Sequence, residues 1–228
     1  MTSRYRFYQW SASPKQFQLL RKRMESESFS EETGRGVRLT KATSSLVEGR
    51  YIQRFAYEEQ EFSANGGSST VERMGFAITS FRLRPTSCGI AIVDPPRSIS
   101  DFVMFVAMLL NDDVSVQVPR LNLISFKRLV ESEVGRCHVR AVKIAGAQLA
   151  ENVIADIAVS DQLDALARAL RLYPQHRACI GKIDMVLPDL PGTRSRLTVS
   201  RTGSVNTTMP LRNVETIWEA VEGACEEG

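Results

Sequence analysis

The stretch GRCHVRAVK, residues 135–143, places Arg136, His138 and Arg140 at alternate positions and Cys137 next to the histidine. Alternate residues of a β-strand point to the same face, so a strand here would set the two arginines and the histidine side by side. A row of guanidinium groups is suited to phosphate, whereas histidine and cysteine are ligands for a metal ion. The spacing of these residues decides whether phosphate binding or metal binding is the better interpretation.

Metal binding is disfavoured by the spacing of the possible ligands. Structural zinc sites take paired ligands two to four residues apart on a tight turn. Here Cys137 and His138 are adjacent, so on a strand they point to opposite faces and cannot hold one ion without distortion. His176 and Cys179 offer one further pair, far along the chain. The sequence therefore predicts no metal site and no cofactor.

Catalytic motifs are equally scarce. The chain contains no G-x-S-x-G elbow, no P-loop and no dinucleotide-binding glycine pattern. The carboxylates nearest to a nuclease pattern are Glu58, Glu59 and Glu61 on one predicted hairpin and Asp184 close to Lys182, and they lack the usual order of acid and lysine. This favours a protein that is not an enzyme, although an active site assembled from distant residues stays open.

Arginines at alternate positions recur on three predicted strands. The strands carry FRLRP, GRCHVRAVK and TRSRLTVSR, and apolar residues occupy the positions between the arginines. If these strands are neighbours, one sheet face would present guanidinium groups to a phosphate backbone. An ordinary solvated face explains the same pattern equally well. The candidate nucleic-acid-binding residues are Arg82, Arg84, Arg136, His138, Arg140, Arg194 and Arg196.

The first half of the chain reads as one strand, one helix and a long β-meander. YRFYQWS predicts an opening strand, and Ser13 followed by Pro14 predicts the start of a helix over 14–27. Alternating patterns between about residues 36 and 94 predict four antiparallel strands. Strands of this length are typical of an antiparallel sheet with one wet face.

The second half mixes strands with helices predicted at 98–110, 162–173 and 211–224, and SFKRLVES adds a short helix. Leu163, Leu166 and Leu170 are predicted to share the apolar side of helix 162–173, and Trp218 lies on the apolar stripe of the last helix. The fold class is therefore α+β: a long antiparallel meander, then a mixed α/β layer, with about four main helices on the sheets. We expect an N-terminal region at 1–95 and a C-terminal region at 96–228, or one continuous domain.

Composition limits the cellular setting. The net charge is +3, and 23 of the 29 basic residues are arginines, a bias that phosphate binding or a GC-rich genome would produce. No apolar run is long enough for a membrane span, and no secretory signal is recognised at the N-terminus, so we expect a cytoplasmic protein. The cysteines Cys88, Cys137, Cys179 and Cys225 form no C-x-x-C pair and are expected to be reduced thiols.

Two functional hypotheses follow. The first is a bacterial, non-catalytic nucleic-acid-binding protein that contacts the phosphate backbone through its arginine-rich strands, as a subunit of a larger assembly. Mobile-element control or antiviral defence would suit that role. The alternative is a protein–protein scaffold or accessory subunit without nucleic-acid contact. The sequence leaves the oligomeric state open.

Overall fold

The computed structural model describes residues 2–62, 65–111, 114–188, 195–209 and 214–226. These residues form eleven strands and six helices. In chain order the elements are β1 (Ser3–Trp10), α1 (Pro14–Ser26), β2 (Arg35–Ala42), β3 (Val47–Phe62), β4 (Ser68–Leu83), β5 (Ile90–Val93), α2 (Ser100–Leu109), β6 (Val116–Gln117), α3 (Leu123–Val134), β7 (His138–Ala150), β8 (Val153–Ser160), α4 (Ala165–Leu172), a 3₁₀ helix (Pro174–Cys179), β9 (Ile180–Val186), β10 (Arg196–Ser200), β11 (Ser204–Thr207) and α5 (Val214–Ala224).

The chain divides into two compact units made of interleaved segments. The first unit comprises residues 1–11, 86–94 and 115–228, and the second comprises residues 12–85 and 95–114. Residues 1–95 and 96–228 therefore each contribute to both units. Within each unit, neighbouring strands pair in antiparallel fashion. The predicted α+β class with a large antiparallel sheet is confirmed.

In the first unit the strands follow the order β5-β1-β11-β10-β9-β7-β8, and β6 pairs with β1. One side of this sheet forms a single core with α3, α4 and α5. Trp218 of α5 is completely buried, its ring meets Phe7 edge to face at 5.6 Å, and its Nε1 donates to the carbonyl of Cys88 at 3.2 Å. The predicted place of Trp218 in the core is confirmed.

The second unit contains the meander β2-β3-β4 with α1 and α2. Ser13 caps α1 as predicted, since its Oγ accepts from the backbone N–H of Gln16 at 3.3 Å and Pro14 opens the helix. Aromatic contacts link α2 to the meander: Phe102 stacks on Phe81 and Phe105 lies against Tyr51, each pair with ring centroids 4.9 Å apart. These contacts give the second unit its own apolar interior.

Four features differ from the sequence prediction. The segment SFKRLVES belongs to the full-length helix α3, so the described residues form one more main helix than expected, and a 3₁₀ helix follows α4. The short strand β11 was not predicted. Helix α4 begins at Ala165 because the carboxylate of Asp164 caps it. Leu163 therefore precedes the helix and is 86% exposed, so its predicted place on the apolar side was wrong.

Among the described residues, none of the helices combines the length and the apolar character needed to cross a lipid bilayer.

Candidate functional site

A cleft of about 1180 Å³ opens at one end of the sheet of the first unit. The antiparallel order brings the starts of β7 and β10 and the ends of β8 and β9 to this same end. The segment that leads from β8 into α4 closes one side. The arginine cleft, as we call it, is lined by these charged or polar residues among others: Arg136, His138, Arg140, Asp161, Arg168, Ser195 and Arg196.

Four of the seven sequence-predicted residues therefore meet in one place. His138 opens β7, Arg136 lies in the turn before it, and Arg140 lies where the pairing between β7 and β9 is irregular. Arg196 opens β10, which lies two strands from β7 because β9 runs between them. Val186 of β9 pairs with both His138 and Arg196, so these two side chains flank it on the same side of the sheet.

The alternation expected around residue 138 is present. Cys137 and Val139 are buried in the core, whereas His138 is half-buried and Arg136 and Arg140 are exposed. Cys137 and His138 thus differ in exposure as strand geometry requires. Burial raises the pKa of the Cys137 thiol to about 11, with a further contribution from the charge of Glu131. That thiol is neutral near pH 7.

The remaining predicted residues lie elsewhere. Arg82 lies on β4 in the second unit and forms an ion pair with Glu48 across the β3–β4 pair. Arg84 directly follows β4 and also belongs to the second unit. Arg194 lies outside the described residues. The idea of three adjacent arginine strands is thus replaced by a smaller cluster from β7, β10 and α4.

Of the four arginines that the structure describes in the cleft, two already have carboxylate partners. Arg196 Nη2 donates to Asp184 Oδ2 at 2.9 Å, and Thr198 Oγ1 donates to the other oxygen of Asp184 at 3.2 Å. Arg168 Nη1 donates to Asp161 Oδ2 at 3.0 Å. Arg168 was not among the predicted site residues, since its only signal in the sequence is its place on the polar face of an amphipathic helix.

Asp161 is held in its charged form. The backbone N–H of Leu163 donates to Asp161 Oδ1 at 2.7 Å, and this bond, followed by the bond from Arg168, holds the pKa of Asp161 below its usual value. The carboxylate therefore fixes both the turn before α4 and the direction of Arg168. It organises the wall of the cleft.

Arg136 and Arg140 differ from the other two arginines. Within the part of the chain that the structure describes, neither has an ion-pair partner. Ser195 is 2% exposed, and its Oγ has no hydrogen-bond partner among the described residues. Two unpaired guanidinium groups and an unpaired buried hydroxyl supply donors for an anion. The cleft has the chemistry of a phosphate or carboxylate site.

Among the described residues, no group of three or more histidine, cysteine, aspartate or glutamate side chains is arranged to hold a metal ion. A scan of known protein families finds no match to this sequence, and a search of curated proteins finds no similar chain.

Proposed function

We propose that the protein binds nucleic acid by contacting the phosphate backbone at the arginine cleft, without cutting it, as a subunit of a larger assembly. The observation that supports this most is the convergence of Arg136 and Arg140, both without ion-pair partners among the described residues, with Arg196 from a second strand. Arginine forks bind phosphate oxygens in pairs, and such contacts supply most of the affinity of sequence-independent binding.

The charge balance inside the cleft supports an anionic ligand. Among the described residues, four arginines line it together with one carboxylate, Asp161, which is already bonded to Arg168. The part of the lining that the structure describes contains no aromatic residue that could stack on bases. We therefore expect binding through the backbone, with little preference for base sequence.

The decisive experiment measures binding of fluorescent single- and double-stranded DNA and RNA over a salt series. Each phosphate neutralised on duplex DNA contributes about −0.9 to the slope of log affinity against log salt. The double variant R136E/R140E should lose binding while keeping its melting temperature. A matched control is R97E/R128E, which changes charge equally at two exposed arginines outside the cleft.

The outcomes separate the two functional hypotheses. Binding that R136E/R140E abolishes and R97E/R128E leaves intact would establish the cleft as the contact. Binding that R136E/R140E leaves intact would refute the site. No binding of any nucleic acid at low salt would favour the protein scaffold, a role supported by the ion pairs that already engage Arg168 and Arg196.

A further inference from the structure

Two cysteines that lie far apart in the sequence meet inside the first unit. Cys88 lies shortly before β5 and is completely buried, whereas Cys225 directly follows α5 and is partly exposed. Both carry free thiols, and the two side chains are joined by a hydrogen bond. They form a pair of neighbouring thiols of the kind that a disulfide can link.

The segment that carries Cys88 is held along the last turns of α5 by two hydrogen bonds. Trp218 Nε1 donates to the carbonyl of Cys88 at 3.2 Å. One turn further along the helix, Thr86 Oγ1 donates to Glu222 Oε1 at 2.6 Å. Cys225 follows on the same side of the chain, since residues three or four apart share a helix face. The packing of this segment against α5 therefore brings the two thiols together.

The rest of the first unit fixes both segments in place. Trp10 of β1 donates its backbone N–H to the carbonyl of Ser87 at 2.9 Å and its Nε1 to the carbonyl of Thr86 at 2.8 Å. On the other side, Leu121 forms a β-bridge with Cys225. A disulfide bond is about 2.0 Å long, so thiols that already interact need only a small movement of their side chains to form one.

The two thiols differ in reactivity. The hydrogen bond with Cys88 is the main cause that lowers the pKa of the Cys225 thiol below its ordinary value, and burial acts against it. The same hydrogen bond, followed by burial, raises the pKa of the Cys88 thiol. The thiolate is the nucleophilic form of cysteine, and Cys225 is also the more exposed of the two. An oxidant should therefore react with Cys225 first.

We propose that Cys225 and Cys88 form an oxidation site, at which hydrogen peroxide produces a reversible disulfide. The Cys225 thiolate attacks one peroxide oxygen and the O–O bond breaks, which leaves a sulfenic acid on Cys225. The departing hydroxide takes up the proton that the Cys225 thiol has lost and becomes water. The inference goes beyond nucleic-acid binding and does not depend on it.

The second step closes the disulfide. The sulfur of Cys88 attacks the sulfenic sulfur of Cys225, the S–O bond breaks, and the hydroxyl leaves with the proton of the Cys88 thiol as a second water. Two thiols are thus oxidised to one disulfide, and one molecule of hydrogen peroxide is reduced to two molecules of water. A dithiol reductant reverses the change by thiol–disulfide exchange.

The disulfide should also stabilise the first unit. It would tie the end of α5 to the segment before β5 and close a loop over residues 88–225. A cross-link over a long loop restricts the unfolded chain more than the folded one. We expect the Tm of the oxidised protein to lie about 5 °C or more above that of the reduced protein.

The test treats the folded full-length protein with hydrogen peroxide, alkylates the remaining thiols and maps the cysteines by mass spectrometry. The expected product is a peptide pair that joins Cys88 to Cys225 within one chain and that dithiothreitol separates. Cys137 is the internal control, because its thiol is buried and bonded to the carbonyl of Gly135 at 3.4 Å. It should be recovered as a thiol.

Three variants assign the two steps. In Cys88→Ser the sulfenic acid on Cys225 has no thiol to close on, so it should persist and be labelled by dimedone. Cys225→Ser should abolish the cross-link and the rise in Tm that follows oxidation. Cys179→Ser is the matched control, because Cys179 is another partly exposed cysteine, and it should leave the yield of the cross-link unchanged. Circular dichroism checks that each variant stays folded.

Several results would overturn the proposal. These are recovery of both Cys88 and Cys225 as thiols after peroxide treatment, a cross-link that joins other cysteines, or a cross-link that forms only in urea. Should Cys88→Ser unfold, the disulfide map of the wild-type protein still decides the question, since it requires no substitution. The binding assays with R136E/R140E test the arginine cleft, and their outcome leaves this proposal unaffected.

Discussion

Arg196 and Asp184 form an ion pair of 2.9 Å across neighbouring strands at the mouth of the arginine cleft. The carboxylate competes with any anionic ligand for the guanidinium group. Asp184→Asn should therefore increase affinity for DNA or RNA by about two- to fivefold, in line with the modest energies of partly exposed ion pairs. Anisotropy titrations of wild type and variant measure the change.

The matched control for that substitution is Asp156→Asn. Asp156 binds Lys143 at 2.7 Å on the same sheet but does not line the cleft. It should leave affinity unchanged. A folded Asp184→Asn variant with unchanged or reduced affinity would show that Arg196 does not contact phosphate.

The turn before α4 should respond to acid. The pKa of Asp161 is lowered from 3.8, first by the backbone N–H of Leu163 and then by Arg168. A lowered folded-state pKa means that the carboxylate stabilises the turn above the unfolded pKa and loses this effect as the pH falls through the folded value. A carbon-detected NMR titration of Asp161 should give a midpoint below 3.8.

A second titration separates the two causes of that shift. In Arg168→Gln the midpoint of Asp161 should rise yet stay below the ordinary value, because the bond from Leu163 remains. A wild-type midpoint at or above the ordinary value would contradict the bonding seen at Asp161.

Truncating the side chain of Trp218 should lower the free energy of unfolding more than truncation at any other core position. Trp218→Ala removes a completely buried indole, and losses of about 3–5 kcal/mol in the free energy of unfolding are typical of such changes. Trp218→Phe should cost less, since it keeps most of the volume and gives up chiefly the bond to the Cys88 carbonyl. Urea unfolding followed by circular dichroism measures both.

Leu163→Ala provides the comparison for Trp218, because that leucine is 86% exposed. It should change the free energy of unfolding by no more than about 0.5 kcal/mol. A cooperative Trp218→Ala variant with an unchanged midpoint would contradict the core assignment.

Gly36 should tolerate no side chain. A Cβ at this position would lie 2.5 Å from the backbone nitrogen and Cα of Phe29, and backbone cannot give way as a side chain can. Gly36→Ala should lower the free energy of unfolding by about 2–4 kcal/mol. The control is Gly66→Ala, where φ is +79° but no atom lies within 4 Å of the added carbon, so the cost should be about 1–2 kcal/mol. Equal costs in the two variants would show that crowding at Phe29 is relieved.

The sequence predicted best those strands and helix ends that depend only on neighbouring residues. Alternation predicted the antiparallel strands of the meander, although the strand predicted first in it ends earlier, at Ala42, and the Ser13–Pro14 pair predicted the start of α1. The error at Leu163 has a local cause as well, because Asp164 caps the helix and α4 therefore starts after Leu163. Four residues with weak alternation were too few to predict β11.

The candidate site was only partly predictable, for a non-local reason. Alternation indicated which arginines point away from the core, and it did so correctly for Arg136, Arg140 and Arg196. It carried no information on strand order, which decides that β7 and β10 flank β9 and that β4 belongs to the other unit. The ion pair of Arg82 with Glu48 depends instead on the register of the β3–β4 hairpin.

The pairing of β1 with β11 has a consequence for synthesis on the ribosome. Tyr5 of β1 lies beside Val205 of β11, so one edge of β1 stays unpaired until a segment that is made much later is available. Contacts between such distant positions slow folding, since a long loop must close before they contribute. During translation the apolar residues of β1, Phe7 among them, stay uncovered until β11 and α5 are made. We expect the first unit to be completed only once β11 and α5 have been made, and to depend on chaperones more than a unit of its size with local pairing would.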